Sequence, residues 1–220
     1  REIPVQGVQD LIKPYSYPGM NFHSITLHGQ PSPWVKEKNG FYSTTMTNLP
    51  AIHEESRMPP EDEVKTWMLV FYQRTTDDRR DAEKYWMETA KTFYDSTKSL
   101  IKPNDEVKKM AATLVADAKT DDEKLQRLFE FCRTKIKNAS FEASGLTAEE
   151  REKIKDNKNP SDTLKRGVGS SADIDWLFAA LANASGLDAR IVLSPDRGDL
   201  FFDRGTPNSY FIKPMNIGVN

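Results

Sequence analysis

The sequence predicts an α+β fold: a β-rich portion over residues 1–75 and a mainly helical portion over residues 76–220. Three observations predict it. Pro14, Pro18, Pro31, Pro33, Pro50, Pro59 and Pro60 punctuate the first third, and a residue with no N–H and a fixed φ breaks helices. After Gln73 the apolar residues take up helical spacing, first in Ala82, Tyr85, Trp86, Thr89, Ala90 and Phe93. Late in the chain Gly186 closes an apolar helix, and Ala189 to Leu193 reads as a strand.

The composition excludes several function classes. With 31 Lys+Arg against 33 Asp+Glu the net charge is −2, so there is no basic excess of the kind that drives nucleic-acid binding. The 37% hydrophobic and 10% aromatic content suits a folded chain of one large or two small domains. No apolar run approaches the ~18 residues of a membrane-spanning helix. The single cysteine, Cys132, excludes an internal disulfide and a cysteine-based zinc cage. The three histidines, His23, His28 and His53, all fall in the first quarter. His23 and His28 lack an evident third ligand for a metal, and His53-Glu54-Glu55 reads as a solvated loop.

Each element has its own signal. Phe22 to Leu27 alternates imperfectly as a strand, and Asn39-Gly40 followed by Phe41-Tyr42 reads as a hairpin turn. Trp67 to Tyr72 is a continuous apolar run, expected as a strand buried on both faces. Asp77, Asp78, Arg79, Arg80 and Asp81 lead into the first long helix, which Pro103-Asn104 ends. A second helix carries Val107, Met110, Ala111, Leu114 and Ala118 on one face. Thr120 and Glu123 form a capping-box pattern opening a third, whose apolar face is Leu125, Leu128, Phe129, Cys132 and Ile136. Cys132 in that stripe reads as a small core residue. Glu149 to Lys158 is almost all charged or amide, so residues 144–158 are expected to be exposed and mobile, with Thr147 and Glu150 capping a short helix. Ile174, Leu177, Phe178, Leu181 and Ala184 then give a buried helix face, with Asp173 and Asp175 read as favouring the helix dipole. Leu200-Phe201-Phe202 is a short apolar segment, and Tyr210 to Val219 a strand broken near Pro214.

The elbow Gly167-Val168-Gly169-Ser170-Ser171 is the candidate chemical site. A helix N-terminus offers free N–H groups and a positive dipole end. A serine there is either a plain N-cap or a nucleophile needing a nearby base. Gly167-x-Gly169 lacks the lysine-bearing pattern of a phosphate loop.

Arg166-Gly167-x-Gly169-x-Ser171-x-Asp173, followed by Trp176 to Leu181 and Ala184-Ser185-Gly186-Leu187-Asp188-Ala189, resembles the core of bacterial transglutaminase-like proteins. That core has a Gly-x-Cys elbow, an apolar helix and then a strand. Asp121 to Leu125 through Phe131-Cys132-Arg133 resembles the family's preceding helix. Leu49-Pro50-Ala51-Ile52, Glu54-Glu55 and Met58-Pro59-Pro60 resemble the end of a β-sandwich domain of unknown function that often precedes such cores. The resemblance implies residues 1–75 as the end of that domain and 76–220 as a papain-like transglutaminase core cut short at its C-terminus.

It also implies a Cys-His-Asp triad acting on amide bonds, but Ser171 stands at the cysteine position and Asn216 is the best counterpart of the histidine. The aspartate strand would follow Asn220. The expectation is a bacterial protein, exported or periplasmic, that is catalytically inactive and binds a peptide, protein or glycan partner through the degenerate cleft. Two alternatives accompany it. One is a serine- or cysteine-dependent amidase or peptidase completed by residues outside this chain. The other is a structural spacer of a larger exported protein. No cofactor, metal, nucleic acid or membrane insertion is expected.

Overall fold

Residues 3–30, 32–53, 55–77, 81–212 and 215–220 are described by a computed structural model. They form a mixed α+β fold of two units, Arg1–Tyr85 with Pro195–Ile212 and Trp86–Ser194 with Lys213–Asn220. The Asp78–Arg80 part of the charged lead, Glu54 and the expected break at Pro214 lie outside the described residues.

The first unit contains β1 (Val5–Ile12), β2 (Met20–Leu27), β3 (Val35–Lys36), β4 (Tyr42–Leu49), a single-turn α1 (Glu61–Val64) and β5 (Trp67–Arg74). The Asn39-Gly40 turn links β3 to β4. Gly40 takes φ +81°, a conformation that costs a residue without a Cβ little, and the Phe41 N–H donates to Asn39 Oδ1 at 3.1 Å. β4 is central in an antiparallel sheet of order β1-β4-β3, while β2 pairs only with β5, from Met20↔Arg74 to Leu27↔Trp67. The run Trp67 to Tyr72 is therefore a strand, but it is not buried on both faces: Val70 is 41% exposed. A two-stranded ribbon leaves one side open, and the rings of Tyr17, Tyr72, Phe22 and Trp34, each meeting the next at 5.8 Å, do the packing. In the 195–212 segment Leu200 and Phe211 are buried, whereas Phe201 and Phe202 stay exposed.

The second unit holds the main core. It comprises most of α2 (Ala82–Thr97), then α3 (Asp105–Leu114), α4 (Asp121–Lys135), β6 (Lys137–Asn138), α5 (Ala148–Glu152), α6 (Pro160–Arg166), β7 (Val168–Gly169), α7 (Ser171–Ala184), β8 (Ala189–Leu193) and β9 (Met215–Val219). The helix starts are made by side chains. Asn104 accepts from Val107 N–H, Thr120 from Glu123 N–H and Thr147 from Glu150 N–H, each satisfying an otherwise orphaned donor. Glu123 accepts from Lys119 rather than from Thr120, so the expected capping box is offset by one residue. α5 is short and exposed.

α7 is the central helix and touches α3, α4, α6, β8 and β9. Leu177, Ala179, Ala180, Leu181 and Ala182 are fully buried, together with Val107, Ala111 and Leu128 from α3 and α4. A helix covered on several sides needs apolar residues around most of its circumference, and alanines let its neighbours approach. Gly186 at φ +85° ends it, and Leu187 N–H reaches back to Ala182 O at 3.1 Å. β8 pairs antiparallel with β9, Ala189↔Val219 to Leu193↔Met215.

Among the described residues, one polar atom buried in this core has no partner. Thr163 on α6 is 1% exposed, and its hydroxyl makes no hydrogen bond. An unsatisfied buried hydroxyl costs stability that an apolar group of the same shape does not. Thr163→Val is expected to raise stability by about 1 kcal/mol, read from the urea midpoint. A loss of stability would show that the hydroxyl has a partner after all.

Candidate active site and adjoining cleft

The elbow is built by α6 and a two-residue parallel pairing. Asn159 caps α6 by accepting from Ser161 and Asp162 N–H, and Gly167 ends it at φ +65°. Arg166 holds the preceding loop through Lys155 O at 2.7 Å and Asn157 Oδ1 at 2.9 Å, and Asn157 Nδ2 donates to Val168 O at 2.9 Å. β7 then pairs in parallel with β6, Lys137↔Val168 and Asn138↔Gly169. That pairing brings Asn138 against the start of α7.

Ser170 is the N-cap of α7. Its hydroxyl and the Asp173 carboxylate form a reciprocal capping box. Ser171 is the first helical residue, with its Oγ accepting from Asn138 Nδ2 at 3.1 Å and its N–H donating to Ser140 Oγ at 3.0 Å. The Ser171 hydroxyl is thus engaged by an amide. An amide has no useful basicity, so this contact orients the hydroxyl without taking its proton.

Asn216 sits on β9 opposite Val192 and donates from Nδ2 to Ser194 Oγ at 2.6 Å. The unit carrying Ser171 and Asn216 has no histidine, since all three lie before residue 54. His23 stacks on Phe71 with centroids 5.6 Å apart, and His28 Nε2 lies 3.8 Å from Glu63 Oε2, both in the first unit. Among the described residues no group of three His, Cys, Asp or Glu is placed to hold a metal, and no helix is long and apolar enough to cross a membrane.

Within the second unit a cleft of about 410 Å³ is lined by Phe129, Cys132 and Arg133 of α4, Ile174, Asp175 and Phe178 of α7, and Asn216 and Ile217 of β9. Two expectations from the sequence need correcting here. Phe129 is 55% exposed and Phe178 only partly buried; they meet edge to face at 6.5 Å along the cleft. The apolar stripes of α4 and α7 are wider than their contact, so their outer aromatics spill into the opening. Asp175 is not an aid to the helix dipole: it lies beyond the first turn, and burial raises its pKa, with no hydrogen bond or charge among the described residues to offset that. The sequence did carry a signal for it. Ser171, Ile174, Asp175 and Phe178 fall at i, i+3, i+4 and i+7, so a carboxylate occupies the same helix stripe as the elbow serine.

Cys132 is 3% exposed, and burial, with a smaller contribution from the Asp175 charge, pushes its thiol up to about 12. A thiol held protonated in this way is a packing group and not a nucleophile.

Residues 108–206 match the profile of the Transglutaminase-like superfamily. No curated protein matches. A crystal structure of a provisionally named protease from Parabacteroides distasonis superposes with a TM-score of 0.51 at 13% identity, covering 100% of this chain and 41% of that one. A provisionally named cysteine protease from Cytophaga hutchinsonii gives a TM-score of 0.35 at 10% identity, covering 99% of this chain and 87% of that one. The chain thus spans well under half the length of the first of these. It carries a transglutaminase-like fold over part of its length, and the described residues of that part hold no catalytic Cys/His cluster.

Proposed function

We propose that this chain is a degenerate transglutaminase-like domain that binds a ligand in the cleft beside the old nucleophile elbow and does not turn it over. Residues 1–75 are, on this reading, the end of a β-sandwich domain and 76–220 the transglutaminase-like part, in a bacterial protein sent to the cell envelope. The observation that carries the proposal is the engagement of the Ser171 hydroxyl by Asn138 in a unit without an imidazole. The open, aromatic-edged cleft favours binding over a purely structural spacer, for which the same space would be filled.

The chemistry sets the expected result. Serine is a weak nucleophile without a base, and the leaving amine needs a general acid whose contribution is typically ~10²–10⁴-fold. The helix dipole supplies only about 0.3–1 kcal/mol. Hydroxamate and deamidation assays on glutamine peptides are therefore expected to show no turnover by the native protein or by Ser171→Cys. Ser171→Cys combined with Asn216→His is the variant that tests whether Asn216 stands where an imidazole belongs. Turnover by the native protein that disappears in Ser171→Ala would overturn the reading and favour a serine-dependent hydrolase.

A further inference from the structure

The polar groups of the cleft are unequally matched. Asp175 is half-buried on α7, and desolvation alone acts on its carboxylate. Asn216 spends its Nδ2 on Ser194 Oγ, which leaves Oδ1 as its free acceptor. Arg133, the one cation among the described residues that line the cleft, is held by Glu130 of its own helix through Nη2 at 2.8 Å and Nε at 3.3 Å. Among the described residues the cleft therefore offers two side-chain acceptors, one of them a carboxylate with no partner there. Around them stand Ile174, Ile217, Phe129 and Phe178.

We infer that this cleft takes a guanidinium group on an apolar stem, the arginine side chain of a peptide segment. The inference rests on the non-catalytic binding reading above and names the class of its ligand. An anion would add like charge beside Asp175, and a neutral group would leave the carboxylate partly desolvated and unpaired. A cation relieves both. Guanidinium suits the site better than ammonium for two reasons. It is more weakly hydrated, so it loses less on entering a half-enclosed space, and its planar fork addresses a carboxylate and a second acceptor together while its face lies on an aromatic ring. The methylene stem then packs between the isoleucines and phenylalanines.

The test uses the full chain with isoleucine methyls labelled, because Ile174 and Ile217 both line the cleft. Nα-acetyl-arginine amide, its neutral isostere Nα-acetyl-citrulline amide, and Nα-acetyl-lysine amide are titrated in turn. The expected result is that the arginine ligand shifts both methyls and binds about tenfold or more tightly than citrulline, the scale of a charge-assisted hydrogen bond. Lysine is expected to fall between them. Asp175→Asn should abolish the preference for arginine over citrulline.

That variant should fold. A carboxylate whose pKa is raised in the folded state opposes folding as pH rises from its unfolded pKa through its folded one, and the penalty is complete above that. Removing the charge at neutral pH therefore leaves melting unchanged or raised. Equal binding of arginine and citrulline, an unchanged arginine preference in Asp175→Asn, lysine binding as tightly as arginine, or absence of any shift at Ile174 and Ile217 would each overturn the inference. None of these would touch the non-catalytic reading. Loss of the C-terminal amide from the arginine ligand, followed in the same samples as ammonia release, would instead overturn that reading.

Discussion

Replacing Leu181 by alanine is expected to destabilise the second unit by about 2–5 kcal/mol. Leu181 is 0% exposed and sits on the helix that α3, α4, α6, β8 and β9 all touch. The loss has two parts, the transfer free energy of the deleted carbons and the cavity left where neighbours cannot collapse. Collapse is hard here because the surrounding groups, Leu177, Ala180, Leu128 and Val107, are themselves fully buried and belong to three different helices. With total stabilities of ~5–15 kcal/mol typical of domains, this one change removes a large share. Native-state hydrogen exchange of the α7 amides measures it within the unit concerned. Val192→Ala, at a side chain 39% exposed on β8, serves as the reference and should stay within about 1 kcal/mol. A Leu181→Ala loss no larger than that would mean α7 is not the centre of the core.

Gly169→Ala should cost about 1–3 kcal/mol, the range for forcing an extra carbon into a packed site. The added Cβ would meet Asp173 Cβ at 2.8 Å, Asn157 Nδ2 at 3.0 Å and Thr163 Cγ2 at 3.1 Å. None of the three can retreat freely. Asp173 is tied into the capping box of α7, Asn157 is bonded to Val168 O, and Thr163 is buried on α6. The methyl group thus presses on the loop, the helix before the elbow and the helix after it together. Gly7→Ala is the contrast: its nearest neighbour would be Met46 O at 3.8 Å, an ordinary contact, and the change should be neutral or slightly stabilising. Urea unfolding of both variants checks the difference. Equal stability of Gly169→Ala and the parent would show that the elbow is loosely packed.

Much of the local structure could be read without coordinates. Capping residues Thr120, Thr147 and Ser170, the stop at Gly186 and the turn at Asn39-Gly40 act within a few residues of chain, so their sequence signals are complete in themselves. Burial was legible where an apolar stripe is narrow, as at Val107 and Ala111, and misleading where it is wide, as at Phe129 and Phe178. The apolar run Trp67 to Tyr72 misled for a related reason. A run reports hydrophobicity, but the number of neighbours a strand acquires depends on what pairs with it, and among the described residues only β2 does.

The candidate site divides the same way. The sequence by itself determined that serine and not cysteine begins α7, that no histidine follows His53, and that charge is nearly balanced. These are facts of residue identity, and they bound the chemistry whatever the fold. Only the tertiary structure decided that Asn138, 33 positions before Ser171, is its hydroxyl's partner, because a two-residue parallel pairing of β6 with β7 brings them together. It alone decided that Asp175 opens into a cleft with Asn216, 41 residues further on, across from Phe129 and Cys132. A carboxylate's role depends on how much water and which partners remain around it, and those are set by elements distant in the chain.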